Sequence, residues 1–314
     1  MKTKQEVNSF ILLLITTLIW GSAFVFQDIA SNYVGSFTFN CIRFLIAFIG
    51  MLPFAIYRQI KLKKENNNNS IKEIIISSCI CGFFLIGASI LQQFGVGMVG
   101  AGKSGFITSM YLVIIPVLLF IFAHKRYSWN VYVGIVVAVI GLYLLSVKGN
   151  FTLEVGDILL IGSAFMFAFQ IISTGHFAKN MDPITLSCGQ SLVSFVIALI
   201  PTLISDQPTM NQIGNAIWPI LYVAIFSTCV AYTLQIVGQR HLNETLASLV
   251  MSFESVFSAL FGAIFLNQYL SLREYIGCGV IFIGVILAEI SFKKKDENKS
   301  QDDNKQELDN QQSE

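Results

Sequence analysis

The chain has 314 residues, of which 54% are hydrophobic and only 12% charged, with a mean hydropathy of +0.66 and a net charge of +1. A soluble domain carries about 25% charged residues, so a chain this apolar cannot cover a water-facing surface. An ordinary soluble enzyme, a disordered protein and a nucleic-acid binder are excluded, and the expected partner is a lipid bilayer.

A helix needs roughly 20 apolar residues to cross a bilayer core. Ten runs fit: 9–27, 36–57, 74–93, 101–123, 130–147, 156–175, 183–204, 216–237, 245–266 and 274–291. Runs such as Val131 to Val147 do not alternate with period two, so helices are expected and a β-barrel is not. The first run has the make-up of a signal peptide ending at Gly21-Ser22-Ala23, but it belongs to the repeat described below. With ten spans, 16 of the 20 basic residues fall on one side, including Arg58, Lys61, Lys63, Lys64 and Lys72 after the second run. Both termini are therefore expected to be cytoplasmic, in a multi-pass protein of the plasma membrane. The stretch Lys61 to Ser70 reads as a linker, and the charged tail from Lys293 as disordered.

Candidate residues follow in chain order. Trp20 could stack on cargo or simply pack. Asp28 closes the first run. Arg43, about two turns into the second, could pair with Glu254, bind a carboxylate or reach the headgroups. Lys103 opens the fourth run, where it could attract anionic cargo or snorkel. Pro116 interrupts that run and should kink it, as a hinge or as fixed shape. Asp157 opens the sixth run, where a carboxylate suits the helix dipole. Gln27, Gln92, Gln170 and Gln235 lie at lipid depth, as a polar lining or as interhelical hydrogen bonds. Glu254 lies near the middle of the ninth run, where a charge costs about 2.5–3.5 kcal/mol. It must face a watery cavity or a partner, or be protonated. A proton relay, a contact to an amine and a structural hydrogen bond all fit it.

Some features carry no chemistry. The six cysteines (Cys41, Cys79, Cys81, Cys188, Cys229 and Cys278) all sit in apolar runs without a CxxC pair. Gly95 to Gly100 fits GxGxxG but follows no strand. His124, His176 and His241 have no metal-ligand spacing, and no Walker A loop exists. No metal or cofactor is expected.

The chain repeats itself. At an offset of 143, Gln27 falls on Gln170, Gln92 on Gln235, Gly95 on Gly238, Ser109 on Ser252 and Tyr111 on Glu254. Gly134 and Gly141 fall on Gly277 and Gly284, and each pair, seven apart, shares one helix face. Near the second and seventh runs the offset is 147, pairing Thr38 with Thr185 and Cys41 with Cys188. The expected organisation is a tail (1–8), two five-helix repeats (9–148 and 149–292) and a second tail (293–314). Five is odd, so the second repeat should be inverted in the membrane, as in secondary transporters. The loop charges agree: Ser205 to Asn215, mate of the basic loop after the second run, carries no basic residue.

Several stretches resemble the drug/metabolite transporter superfamily, EamA type: Trp20-Gly21-Ser22-Ala23-Phe24, Arg43-Phe44-Leu45, Ala101 to Phe106, Gly156-Asp157, Leu249 to Ala263 around Glu254, and Gly277 with Gly284. The resemblance spans about residues 9 to 291. It implies an all-α, ten-helix integral membrane carrier, often an exporter of amino acids or related metabolites. Two places where that family usually has Glu are Lys125 and Gln268 here.

The combined expectation is a secondary carrier of small amino-acid-like or amphipathic molecules, working by alternating access. Export and proton coupling through Glu254 are its finer parts. A passive channel on the same scaffold, a non-transporting scaffold and an intramembrane enzyme are the rivals. The enzyme is disfavoured because no acid, base and nucleophile cluster at helical spacing. Oligomeric state is not legible in the sequence.

Overall fold

A computed structural model describes residues 4–65, 69–146, 154–266 and 271–288. Residues 1–3, 66–68 in the linker, 147–153 where the repeats join, 267–270 and 289–314, with the whole tail expected at 293–314, lie outside them. Among the described residues the structure is helical and contains no strand.

Eight helices among the described residues are long and apolar enough to cross a membrane. They are α1 (Lys4–Ser31), α2 (Ser36–Lys64), α3 (Ile71–Val99), α4 (Ala101–Ala123), α6 (Val155–Phe177), α7 (Pro183–Asp206), α8 (Met210–Gln239) and α9 (Glu244–Phe265). Two shorter helices are α5 (Trp129–Ser146) and α10 (272–288). Large apolar side chains such as Ile15, Phe54, Phe83, Phe122, Val136, Ile200 and Phe282 face outward. Many Ser, Thr, Gln and Asn side chains are buried instead. A soluble fold would hide the first set; lipid is the solvent that suits it.

Lipid gives apolar helices no reason to prefer each other, so close backbone approach and interhelical hydrogen bonds must hold the bundle. The α5–α10 crossing shows the first device. A Cβ on Gly134 would lie 2.7 Å from the Gly284 carbonyl oxygen, and one on Gly141 2.8 Å from that of Gly277. Only glycine permits this approach. Elsewhere α3 packs on α6 and α7, and α1 on α8 and α9.

The α2–α7 pair shows the second device, at both of its ends. At one end Asp182 caps α7, accepting from the Thr185 N–H at 3.1 Å. Arg58 of α2 donates to that same carboxylate at 2.9 Å, and Gln59 donates to the Thr185 hydroxyl at 2.8 Å. At the other end α2 begins with Gly35, which has no side chain to cap with. Asp206 of α7 supplies the missing carboxylate, accepting from the Thr38 N–H at 2.7 Å and its hydroxyl at 2.9 Å. A Cβ on Gly35 would run into that carboxylate.

Two helices are broken. α4 is interrupted at Ser109–Met110 and α9 at Ser252, each lying between two straight arms. The two serines bond back into the preceding turn, Ser109 Oγ to the Gly105 carbonyl at 2.8 Å and Ser252 Oγ to that of Leu249 at 2.7 Å. Such back-bonding bends helices. The break in α4 therefore lies seven residues before Pro116, which sits inside the continuous arm Tyr111–Ala123. α8 carries a wide π-helical segment, Val223–Ala231, in which the Thr228 hydroxyl donates to the Val223 carbonyl at 3.0 Å.

The glycine crossing gives a sharp expectation. Gly284→Leu should lower the thermal-unfolding midpoint of the detergent-purified protein, because its Cβ would lie 2.6 Å from the Ala138 backbone nitrogen. Overpacking costs about 1–3 kcal/mol. Gly102→Ala, with nothing within 4 Å, should leave the midpoint unchanged or raise it.

Candidate functional site

The breaks in α4 and α9 meet at the centre of the bundle. Glu254 stands in the first turn of the arm Phe253–Phe265, where the helix dipole favours a carboxylate. It is 3% exposed and accepts a hydrogen bond from Ser109 Oγ at 3.3 Å. Tyr111 opens the facing arm of α4. Its buried hydroxyl lies by the same carboxylate without a completed hydrogen bond.

Glu254 and Tyr111 line a narrow cavity of about 410 Å³, its open mouth included. Trp20, Gln27, Arg43, Gln92 and Gln170 also line it. Seven of the residues singled out in the sequence therefore line one cavity, although they come from six helices. Gln235 stands one layer behind, donating to Gln170 Oε1 at 3.2 Å. Gln170 in turn donates to the Thr174 hydroxyl at 2.9 Å, and Gln92 reaches Thr108 Oγ1 at 3.5 Å.

Arg43 is 2% exposed. Its Nη2 donates to Ser89 Oγ at 2.8 Å, and its guanidinium lies 4.6 Å from the centre of the Phe44 ring. It makes no ion pair with Glu254. Trp20 packs against Tyr232 with ring centroids 5.1 Å apart.

Two candidates lie elsewhere. Lys103 forms a salt bridge with Asp157 at 2.8 Å, outside the cavity lining. Asp157 also accepts from the Glu154 N–H at 3.0 Å, so it caps α6 as expected. Pro116 is buried but does not line the cavity. Lys125, where a Glu was expected from the resemblance, pairs with Glu244 at 3.2 Å. Gln268 lies outside the described residues. No group of three or more His, Cys, Asp or Glu able to hold a metal ion occurs among the described residues.

Sequence reasoning missed Tyr232, Ser227 and Thr108, which also line the cavity. Tyr232 and Ser227 stand just beyond and within the π-helical segment, whose widened turn leaves no mark on hydrophobic periodicity. Thr108 precedes the α4 break and had a signal, since Ser109 and Ser252 are repeat mates.

The sequence profile of the EamA-like transporter family matches residues 8–147 and again 154–290. The chain belongs to the EamA-like transporter family. It is thus a multi-pass membrane transporter of the drug/metabolite transporter superfamily. An uncharacterized transporter of Archaeoglobus fulgidus is 30% identical over 278 residues, covering 88% of this chain and 84% of the relative. The uncharacterized transporter YoaV of Bacillus subtilis is 22% identical, covering 89% and 96%. The threonine/homoserine exporter RhtA of Escherichia coli is 27% identical, over only 54% of this chain and 57% of its own length. A solved crystal structure matches with a TM-score of 0.72 at 14% identity, over 91% of this chain and 98% of that one. That likeness supports the fold alone.

The Lys103–Asp157 pair of this EamA-like transporter should be structural. Lys103→Met leaves the Asp157 carboxylate buried without its cation. A loss of about 1–3 kcal/mol is expected, read as a lower unfolding midpoint. Adding Asp157→Asn should restore part of it. Transport KM should be unchanged in both variants.

Proposed function

We propose that the chain is a secondary transporter that exports small amino-acid-like or amphipathic metabolites across the plasma membrane. It works by alternating access of two inverted five-helix halves, ten spans in all, with both termini in the cytoplasm. The central cavity is the cargo site, and Glu254 carries the coupling proton. The breaks in α4 and α9, the former stiffened by Pro116, are where the arms bend.

One observation carries the inverted arrangement. Contacts recur with the partners exchanged. Gly134 meets Gly284 while Gly141 meets Gly277, and these are mates at offset 143. Thr38 meets Asp206 while Thr185 meets Gln59, mates at offset 147. Gly95 meets Gly156 while Gly238 meets Leu13, again at 143. A contact i–j accompanied by its exchanged copy is the mark of a two-fold axis. The paired helices run antiparallel, which supports an axis lying in the membrane plane. Two halves related in this way can exchange conformations at little cost, which opens the shared cavity to one side and then to the other.

The cavity is narrow and the α2–α7 pair is fastened at both ends, as suits a state closed to both sides. The name of the RhtA relative supports amino-acid cargo and the outward direction. Polar groups from opposite halves, Tyr111 and Glu254 above all, suit a small polar molecule.

Counterflow in proteoliposomes tests the reading. Vesicles preloaded with unlabelled threonine and homoserine should take up labelled threonine transiently above equilibrium. Simple equilibration without trans-stimulation would make the protein a passive channel. Glu254→Gln should abolish the response to an imposed proton gradient, with any residual exchange weakened in affinity for cargo. Full transport with unaltered pH dependence would remove Glu254 as the coupling site.

A further inference from the structure

Among the described residues, Arg43 is a buried cation with no anion to balance it. Its Nη2 bonds Ser89, a neutral hydroxyl, and two aromatic rings flank it, Phe44 at 4.6 Å and Phe39 at 5.5 Å. Its Nε–H has no partner, although the side chain lines the cavity. The Trp20 Nε1–H, from another residue that lines the cavity, has none either. An unpaired charge at membrane depth is costly, and such residues pair or mark a pathway.

The acid that could neutralise Arg43 is in the same cavity and stays apart from it. Glu254 is held by Ser109 and its own helix dipole, with the Tyr111 hydroxyl beside it. The cavity therefore presents a cation on α2 and a carboxyl on α9 that do not touch. Trp20, Phe24 and Tyr232 line the same cavity. A guanidinium and a carboxyl that line one cavity without pairing ask for a ligand that can meet both.

We propose that Arg43 is the cargo-recognition residue for a carboxylate, and that the cargo is a zwitterion spanning Arg43 and Glu254. The cargo carboxylate receives the Arg43 Nε–H and the Trp20 indole N–H, and its ammonium lies against Glu254. This rests on the transport reading above and narrows it. Polyamines, nucleosides and cationic drugs lack the anion that Arg43 demands. The same pairing explains how a cargo-free protein tolerates the charge: Ser89 and the rings hold the guanidinium in place without neutralising it.

The test varies the ligand first, on the unaltered full chain in proteoliposomes. L-Threonine, L-leucine and L-phenylalanine are compared with their primary amides as competitors in counterflow. Truncating one partner of a buried charge pair costs upward of about 2 kcal/mol, roughly 30-fold in affinity. The amides should compete at least that much less well than the acids. Arg43→Gln should collapse the acid-to-amide ratio to near one, and Arg43→Lys should restore part of it. A merely structural Arg43 would lower protein yield without altering that ratio. Acids and amides transported equally well by the unaltered protein would overturn the proposal while leaving the carrier reading intact. A ratio that survives Arg43→Gln would overturn it as well. If neither acids nor amides move, the amino-acid cargo itself fails, and this assignment fails with it.

Discussion

The fold depends on one constraint: a polar group at membrane depth finds no water, so it must find a partner inside the bundle. Apolar helices alone would not associate in lipid. Part of what draws these together is a set of buried carboxyl, Gln, Ser and Thr groups that bond across helices, such as Asp206 to Thr38, Gln235 to Gln170 and Ser163 to the Ala88 carbonyl. The Asp206–Thr38 contact is the clearest case. α2 starts with a glycine and cannot cap itself, so α7 must come to it. Where polar groups are absent, as at the α5–α10 crossing, glycine replaces them by letting backbones touch.

The same constraint explains where the structure departs from straight helices. Ser109 and Ser252 turn their hydroxyls onto their own backbones, and each helix breaks there. Because the breaks face each other, the side chains just after them, Tyr111 and Glu254, arrive at a common point. The features that interrupt regular structure thus define the site. Non-helical backbone at this depth is tolerated only where protein or a cavity surrounds it.

Much of this was legible in the sequence. Long gaps between charges mark the helices because charge is expensive in lipid. The 143-residue offset places Tyr111 opposite Glu254, and seven of the candidate residues do line one cavity. Other features were not legible. Pro116 did not mark the interruption of α4 at Ser109–Met110, because a proline signals a missing donor and not where the neighbouring backbone yields. Lys103 looks like a free cation in the sequence, but its partner Asp157 lies 54 residues away and is known only from packing. Tyr232 was missed because an aromatic in an apolar run looks like core. Arg43 offered three readings in the sequence. Only its surroundings, a hydroxyl and two rings in place of an acid, separate them.

The central claim is that two like halves sit in the membrane with opposite sense, so that one cavity serves both faces. The loops after α2 and α7 are repeat mates, and their sidedness tests this most directly. Lys64→Cys and Asn211→Cys, each alone in an otherwise cysteine-free protein, would be exposed to a membrane-impermeant maleimide in intact cells. Position 211 should label at once, and position 64 only after the membrane is permeabilised. Labelling of both from the same side would contradict the inverted arrangement, and the alternating-access account would fall with it.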